Sequence, residues 1–248
     1  MKSWLRLGIT ASLIGTTLLG SVMSQNLPAI ALPMEQIVTK LEPIPVFTVA
    51  DETGAPLVAT GENNTQVAGV FISQADAQEF VQRLQRENPD LGSQVRVVPV
   101  SLSKIYELTV DSQNDPTALQ FAYVPVEAQV QKAEELMSAS GEEFPGGVPL
   151  FVATTGEDQG YLTIQRDNEQ VIPFFFEKQQ LDNMITNFKQ EQPELADQVA
   201  VEVIPLEVML STLQNSDDEG LNKIVLIPTT EAIEFIRSTT PTPTDGQP

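Results

Sequence analysis

Three consecutive phenylalanines, Phe174, Phe175 and Phe176, open a succession of strand, amphipathic helix, proline stop and β-branched strand that ends near Val203. Leu181, Met184, Ile185 and Phe188 supply the three- and four-residue spacing of a helix face, Pro193 halts it, and Val199, Val201 and Val203 alternate as a strand does. The same succession stands earlier in the chain. Subtracting 104 carries those four helix positions onto Ala77, Phe80, Val81 and Leu84, all apolar and in the same helical phase. It also carries Pro193 onto Pro89, Leu195 onto Leu91, Val199 onto Val95, Val201 onto Val97, Pro149 onto Pro45 and Phe151 onto Phe47. Further on the register slips, so that Pro205 answers Pro99 and Pro228 answers Pro125. A unit this long is no solenoid repeat. The pattern predicts two halves related by a pseudo-twofold axis, which limits the folds open to the chain more than any single motif does.

The strands and helices alternate, but each half opens on strands close enough to pair as hairpins. That favours an α/β fold of α+β character, with a mixed sheet and packed helices in each half, over a doubly wound parallel sheet. The expected organisation is a signal peptide over 1–31, a lead-in segment over 32–43, a first half over 44–140, a second over 141–238 and a disordered polar tail over 239–248. Ser73 caps the helix that follows it, with Asp76 three residues on. The lead-in places Met34, Ile37, Val38 and Leu41 at helical spacing, so it should pack against the body.

Lys2 and Arg6, then an uncharged apolar run over 7–22, then Ala29 and Ala31 at the −3 and −1 positions of a cleavage site, form a secretory signal. The alternative is an uncleaved membrane anchor, for which the run is short and rich in Gly, Ser and Thr. The working protein is therefore expected outside the cytoplasm, in a periplasm or a thylakoid lumen, soluble once cleaved.

Cysteine and histidine are both absent from the 248 residues, which removes Cys or Ser–His nucleophiles, the common zinc sites and disulfides. A formal charge of −21 repels phosphate backbones and anionic lipid and favours cationic partners, though it also serves simple solvation. No glycine-rich phosphate loop follows a strand; Gly146-Gly147 precedes one. The acidic loops with Asp111, Asn114 and Asp115, and with Asp217, Asp218 and Glu219, lack the spacing of a calcium-binding EF-hand. Glu142 with Glu143 and Glu157 with Asp158 are merely neighbours, a spacing that does not set the separation acid/base chemistry needs. No cofactor, metal or catalytic residue is assigned.

The aromatic strands are the candidate site. In a strand Phe174 and Phe176 point to one face and Phe175 to the other, so both faces are apolar. They are core on both sides unless one face is left open as a groove for apolar segments of a client. The client-binding candidates are Phe71, Phe121, Tyr123, Phe174, Phe175 and Phe176.

The strings Ile44-Pro45-Val46-Phe47, Gly69-Val70-Phe71-Ile72-Ser73, Phe121-Ala122-Tyr123-Val124-Pro125-Val126, Gly147-Val148-Pro149-Leu150-Phe151, Gly160-Tyr161-Leu162-Thr163-Ile164 and Pro173-Phe174-Phe175-Phe176 resemble one family. It is the twenty-two-kilodalton Tic subunit of the intermembrane space, part of the chloroplast inner-envelope translocon, in its cyanobacterial form. The resemblance covers about 41–238 and carries no catalytic motif to transfer. It implies a pseudosymmetric α/β protein with apolar clefts and no enzymatic activity. Its implied role is that of a chaperone moving proteins between two membranes, with a part in outer-membrane biogenesis. Unfolded or translocating proteins, outer-membrane barrel proteins among them, would be the partners, with peripheral membrane association and no nucleic acid. The alternative is a non-catalytic scaffold that binds one folded partner of a translocon or envelope complex.

Overall fold

The structure, a computed structural model, describes residues 32–61, 65–113, 115, 118–155, 160–216 and 218–239. The expected signal peptide, with Ala29 and Ala31, lies outside the described residues, as do 240–248.

The lead-in forms helix α1, Met34–Leu41, and buries Ile37 and Leu41 as its spacing requires. The first sheet follows. Strand β1, Pro45–Asp51, turns through Asp51, whose Oδ1 accepts hydrogen bonds from the Thr53 N–H, the Thr53 hydroxyl and the Ala55 N–H. Strands β2, Val58–Thr60, and β3, Gln66–Phe71, come next. Helix α2, Gln74–Glu87, starts at Ser73, whose hydroxyl accepts from the Asp76 N–H at 3.1 Å. A short turn of helix, α3, Pro89–Gly92, leads into β4, Val95–Ser101, helix α4, Leu102–Ser112, strand β5, Gln120–Val124, and helix α5, Glu127–Ala139. The sheet runs β4–β1–β3–β5, with β2 beside β3 on the β1 side; all neighbours are antiparallel except β3 and β5.

The second half repeats the plan. Strands β6, Pro149–Thr155, β7, Gly160–Tyr161, β8, Ile164–Arg166, and β9, Glu169–Phe175, precede helix α6, Lys178–Glu191. A 3₁₀ turn, Pro193–Gln198, gives way to β10, Ala200–Pro205, and α7, Leu206–Asn215. A second 3₁₀ turn, Glu219–Lys223, leads to β11, Ile224–Ile227, and α8, Thr230–Thr239. The order β10–β6–β9–β11 matches the first sheet strand for strand, again with one parallel pair, β9 and β11. The registers match as well. Pro45 faces Ser101 and Phe47 faces Phe71 in the first sheet; Pro149 faces Pro205 and Phe151 faces Phe175 in the second, each position 104 higher. At the last strand the shift becomes 103, since Phe71 faces Val124 and Phe175 faces Ile227, whereas Pro99 answers Val203 and not Pro205, because Phe47 faces Pro99 as Phe151 faces Val203.

Helices pack on both faces of both sheets, though not over the whole outer face of the first. The inner faces, through Val46, Val70 and Ile72 on one sheet and Leu150, Phe174 and Phe176 on the other, share one central core with α1, α4 and α7. Lys40 on α1 pins that helix in place by donating to the carbonyls of Asn222 (2.6 Å) and Ile224 (3.1 Å). The outer face of the first sheet packs under α2 and that of the second under α5 and α6. The last helix of each half crosses over. Helix α5 follows the first sheet yet rests on β6 and β10, and α8 follows the second yet stands Phe235 edge-on to Phe47 of β1 at 5.4 Å. Each crossing helix also caps the outer helix it reaches. Gln129 of α5 accepts from the Lys178 N–H at the start of α6, and Glu231 of α8 accepts from the N–H groups of Gln74 (3.1 Å) and Ala75 (2.8 Å) at the start of α2.

Candidate functional site: an apolar groove on the first sheet

The alternation of the aromatic strand holds, and of the two readings left open by sequence, core on both sides or a groove, Phe174, Phe175 and Phe176 take the first. Phe174 and Phe176 enter the central core, where Phe174 stacks near Tyr161 at 5.9 Å, and Phe175 enters the outer core beneath α5 and α6. Their exposures are 1%, 2% and 6%. Each such ring contributes about 1.5–3 kcal/mol by leaving water, and helices of both halves supply the cover. Phe121 and Tyr123 are half-buried against the central core, and burial, with the charge of Glu207, raises the Tyr123 phenol. The Tyr161 phenol is pushed up to about 12, chiefly by burial and then by the charges of Glu202 and Asp218. Of the six rings, Phe71 alone borders a large cavity.

That cavity is a groove of about 490 Å³ on the outer face of the first sheet. Its floor is built by strand parity. Val67, Gly69 and Phe71 of β3 point the same way, as do Ala122 and Val124 of β5. Gly69 leaves the middle of the floor without a side chain, and a Cβ there would stand 3.3 Å from the Phe71 ring. One wall is α2, where Phe80 tilts against Phe71 at 5.5 Å and Arg83 lies over the Phe80 ring at 5.7 Å. Leu91 of α3 and Val58 of β2 complete the rim and are 36% and 40% exposed. Alanines, valines, leucines and two phenylalanines thus line an open trough with a single cation at its lip.

The second sheet closes the corresponding place. Leu162, whose N–H donates to the Ala153 carbonyl as the Leu57 N–H donates to the Val49 carbonyl, is 7% exposed, and under the shift of 104 Gly69 becomes Pro173. Leu162 and Phe144 both join the outer core there. The rim residues Val58 and Leu91 were not singled out as a site by sequence; the one signal is Gly69, a residue without a side chain where the twin carries Pro173.

No chemistry gathers at the groove. Among the described residues no three acidic side chains come together as a metal site would need, and no helix is long and apolar enough to cross a membrane. Asp218 is engaged in its own turn, accepting from the Gly220 N–H at 2.7 Å. Asn114, Asp217, Glu157 and Asp158 lie outside the described residues. Away from the groove, burial, and then the charge of Glu142, raises Glu202 on the second sheet.

A family model described as Tic22-like matches residues 6–238. A curated relative, Protein TIC 22, chloroplastic, of Arabidopsis thaliana, is 23% identical over 203 residues, which are 81% of this chain and 70% of the relative. Among solved structures, Anabaena Tic22, described by its role in protein transport, superposes with a TM-score of 0.75 at 30% identity, covering 86% of this chain and all of that one. Tic22 from Plasmodium falciparum superposes with a TM-score of 0.66 at 21% identity, over 82% of this chain and 96% of that one, a likeness of fold.

Proposed function

Since the chain belongs to the Tic22-like family, we propose that it is a non-catalytic protein-transport factor of the extracytoplasmic space, chaperone-like, holding apolar segments of proteins in transit between two membranes. Outer-membrane barrel proteins are the client class it would serve in a periplasm. The observation that carries this reading is the first-sheet groove: about 490 Å³, almost wholly apolar, open at a rim of Val58 and Leu91 and devoid of a catalytic set. A trough of that width takes an extended segment with side chains on one face, and its apolar lining sets no sequence requirement beyond hydrophobicity. The formal charge of −21 supports the role by keeping a client-loaded complex soluble and drawing in basic segments.

The test is suppression of aggregation. The purified protein slows aggregation of an unfolded outer-membrane barrel protein. Val58→Asp and Leu91→Asp, both at exposed rim positions, abolish most of that protection without changing the melting temperature. Leu108→Asp, equally exposed but on α4 away from the groove, keeps it. Equal protection by all three variants contradicts the reading. A single stoichiometric folded partner recovered from cells, with no protection of unfolded clients, favours the scaffold instead.

A further inference from the structure

The second sheet leaves one long edge unpaired, and its backbone geometry is legible from the register. Strand β10 ends the sheet and pairs only with β6. Pro205 faces Pro149, and neither has an N–H, so that pair exchanges no hydrogen bonds. Antiparallel ladders alternate, so the pairs Val203 with Phe151 and Val201 with Ala153 are also of the non-bonded kind. The neighbouring bond from the Leu206 N–H to the Val148 carbonyl fits this phase. Val201 and Val203 therefore aim their N–H and C=O groups away from β6, two residues apart, as a docking strand requires. Among the described residues no backbone or side-chain group satisfies them.

A groove of about 360 Å³ runs along this edge and is bordered by every residue from Ala200 to Ile204. Leu136 and Met137 of α5 give it an apolar wall, and Glu142 and Glu202 place two interacting carboxylates in it. The equivalent edge of the first sheet is blunted. There β4 carries Pro99 where β10 carries Val203, and Arg96 where β10 carries Ala200. Proline and an edge cation are the usual guards against strand addition; β10 has no cation, and its one proline, Pro205, stands at its end, beyond Val201 and Val203.

We propose that the β10 edge is a strand-addition site for an extended segment of a second protein, apolar at alternate positions and carrying a lysine or arginine. The segment hydrogen-bonds through its backbone to Val201 and Val203, lays apolar side chains against Leu136 and Met137, and sets its cation between Glu142 and Glu202. Pairing of two copies through this edge would bring four carboxylates and two bodies of −21 together, so charge selects a cationic partner over a second copy. The proposal is independent of the first-sheet groove.

The probe is an end-capped ten-residue peptide alternating valine and lysine, titrated into the purified protein and followed by amide hydrogen exchange. Protection appears at Val201 and Val203. Val203→Pro, which copies Pro99 and removes an N–H the sheet does not use, weakens binding about tenfold or more at an unchanged melting temperature, as the loss of an edge hydrogen bond and a steric block demand. A glutamate-for-lysine peptide fails to bind, and Val58→Asp in the other groove leaves binding intact. Unaltered affinity in Val203→Pro, equal binding of the glutamate peptide, or protection mapping to the first-sheet groove overturns the proposal. So does a dimer of the protein alone that Val203→Pro dissociates.

Discussion

Phe174 and Val58 mark the two ends of what an apolar residue does in this molecule. Phe174 is sealed against Tyr161 and the central core, so its removal leaves a cavity that the neighbours fill only in part. Phe174→Ala should destabilise the fold by about 3–5 kcal/mol, read as a lowered denaturant midpoint, while Val58→Asp at the open rim should shift it little. Equal effects of the two would mean that the interior and the rim have been misplaced. The parity of Phe174, Phe175 and Phe176 was legible in the chain from strand geometry alone. Their cover was not, because the residues that seal them lie on α1, α4, α5 and the distant body of the other sheet as well as on the nearer α6 and α7. Hydrophobicity at one position cannot reveal a neighbour that is a hundred residues away.

Among the elements, the helices α5 and α8 decide how the halves hold together. Helix phase, helix stops and the Ser73 cap could be read locally, and so could the burial of Ile37 and Leu41 in the lead-in helix. The crossing could not, since an amphipathic stripe does not say which sheet it will meet. Contacts that hold helix α8 include Phe235 on Phe47, Ala232 in the seam, the Glu231 carboxylate on the first turn of α2, and Thr230, which donates to Glu177 and accepts from Gln180. A carboxylate on two orphan N–H groups at a helix start is worth about 1–2 kcal/mol. Glu231→Ala should cost about that much in chemical unfolding, and hydrogen exchange should quicken in the first turn of α2 as well as in α8. Faster exchange confined to α8 would show that the carboxylate does not couple the two helices.

For the whole molecule, the account rests on an asymmetry laid over matching halves. Strand order and register repeat with a shift of 104, which supports reading the chain as a duplicated unit. The copies then differ in what they leave open: the first sheet an apolar face, the second a backbone edge. The match between the halves was visible in the sequence as helix phase and proline spacing. The asymmetry was not, because it depends on Gly69 against Pro173 and Pro99 against Val203, single exchanges whose meaning appears only once the faces are assigned. The most direct measurement places a photo-activatable benzophenone side chain in turn at Val58, Leu91, Leu108 and Ile236, all apolar and at least 36% exposed, and crosslinks each variant to an unfolded outer-membrane barrel protein. The account predicts adducts from positions 58 and 91 and little from 108 and 236; equal yields at all four positions would contradict it.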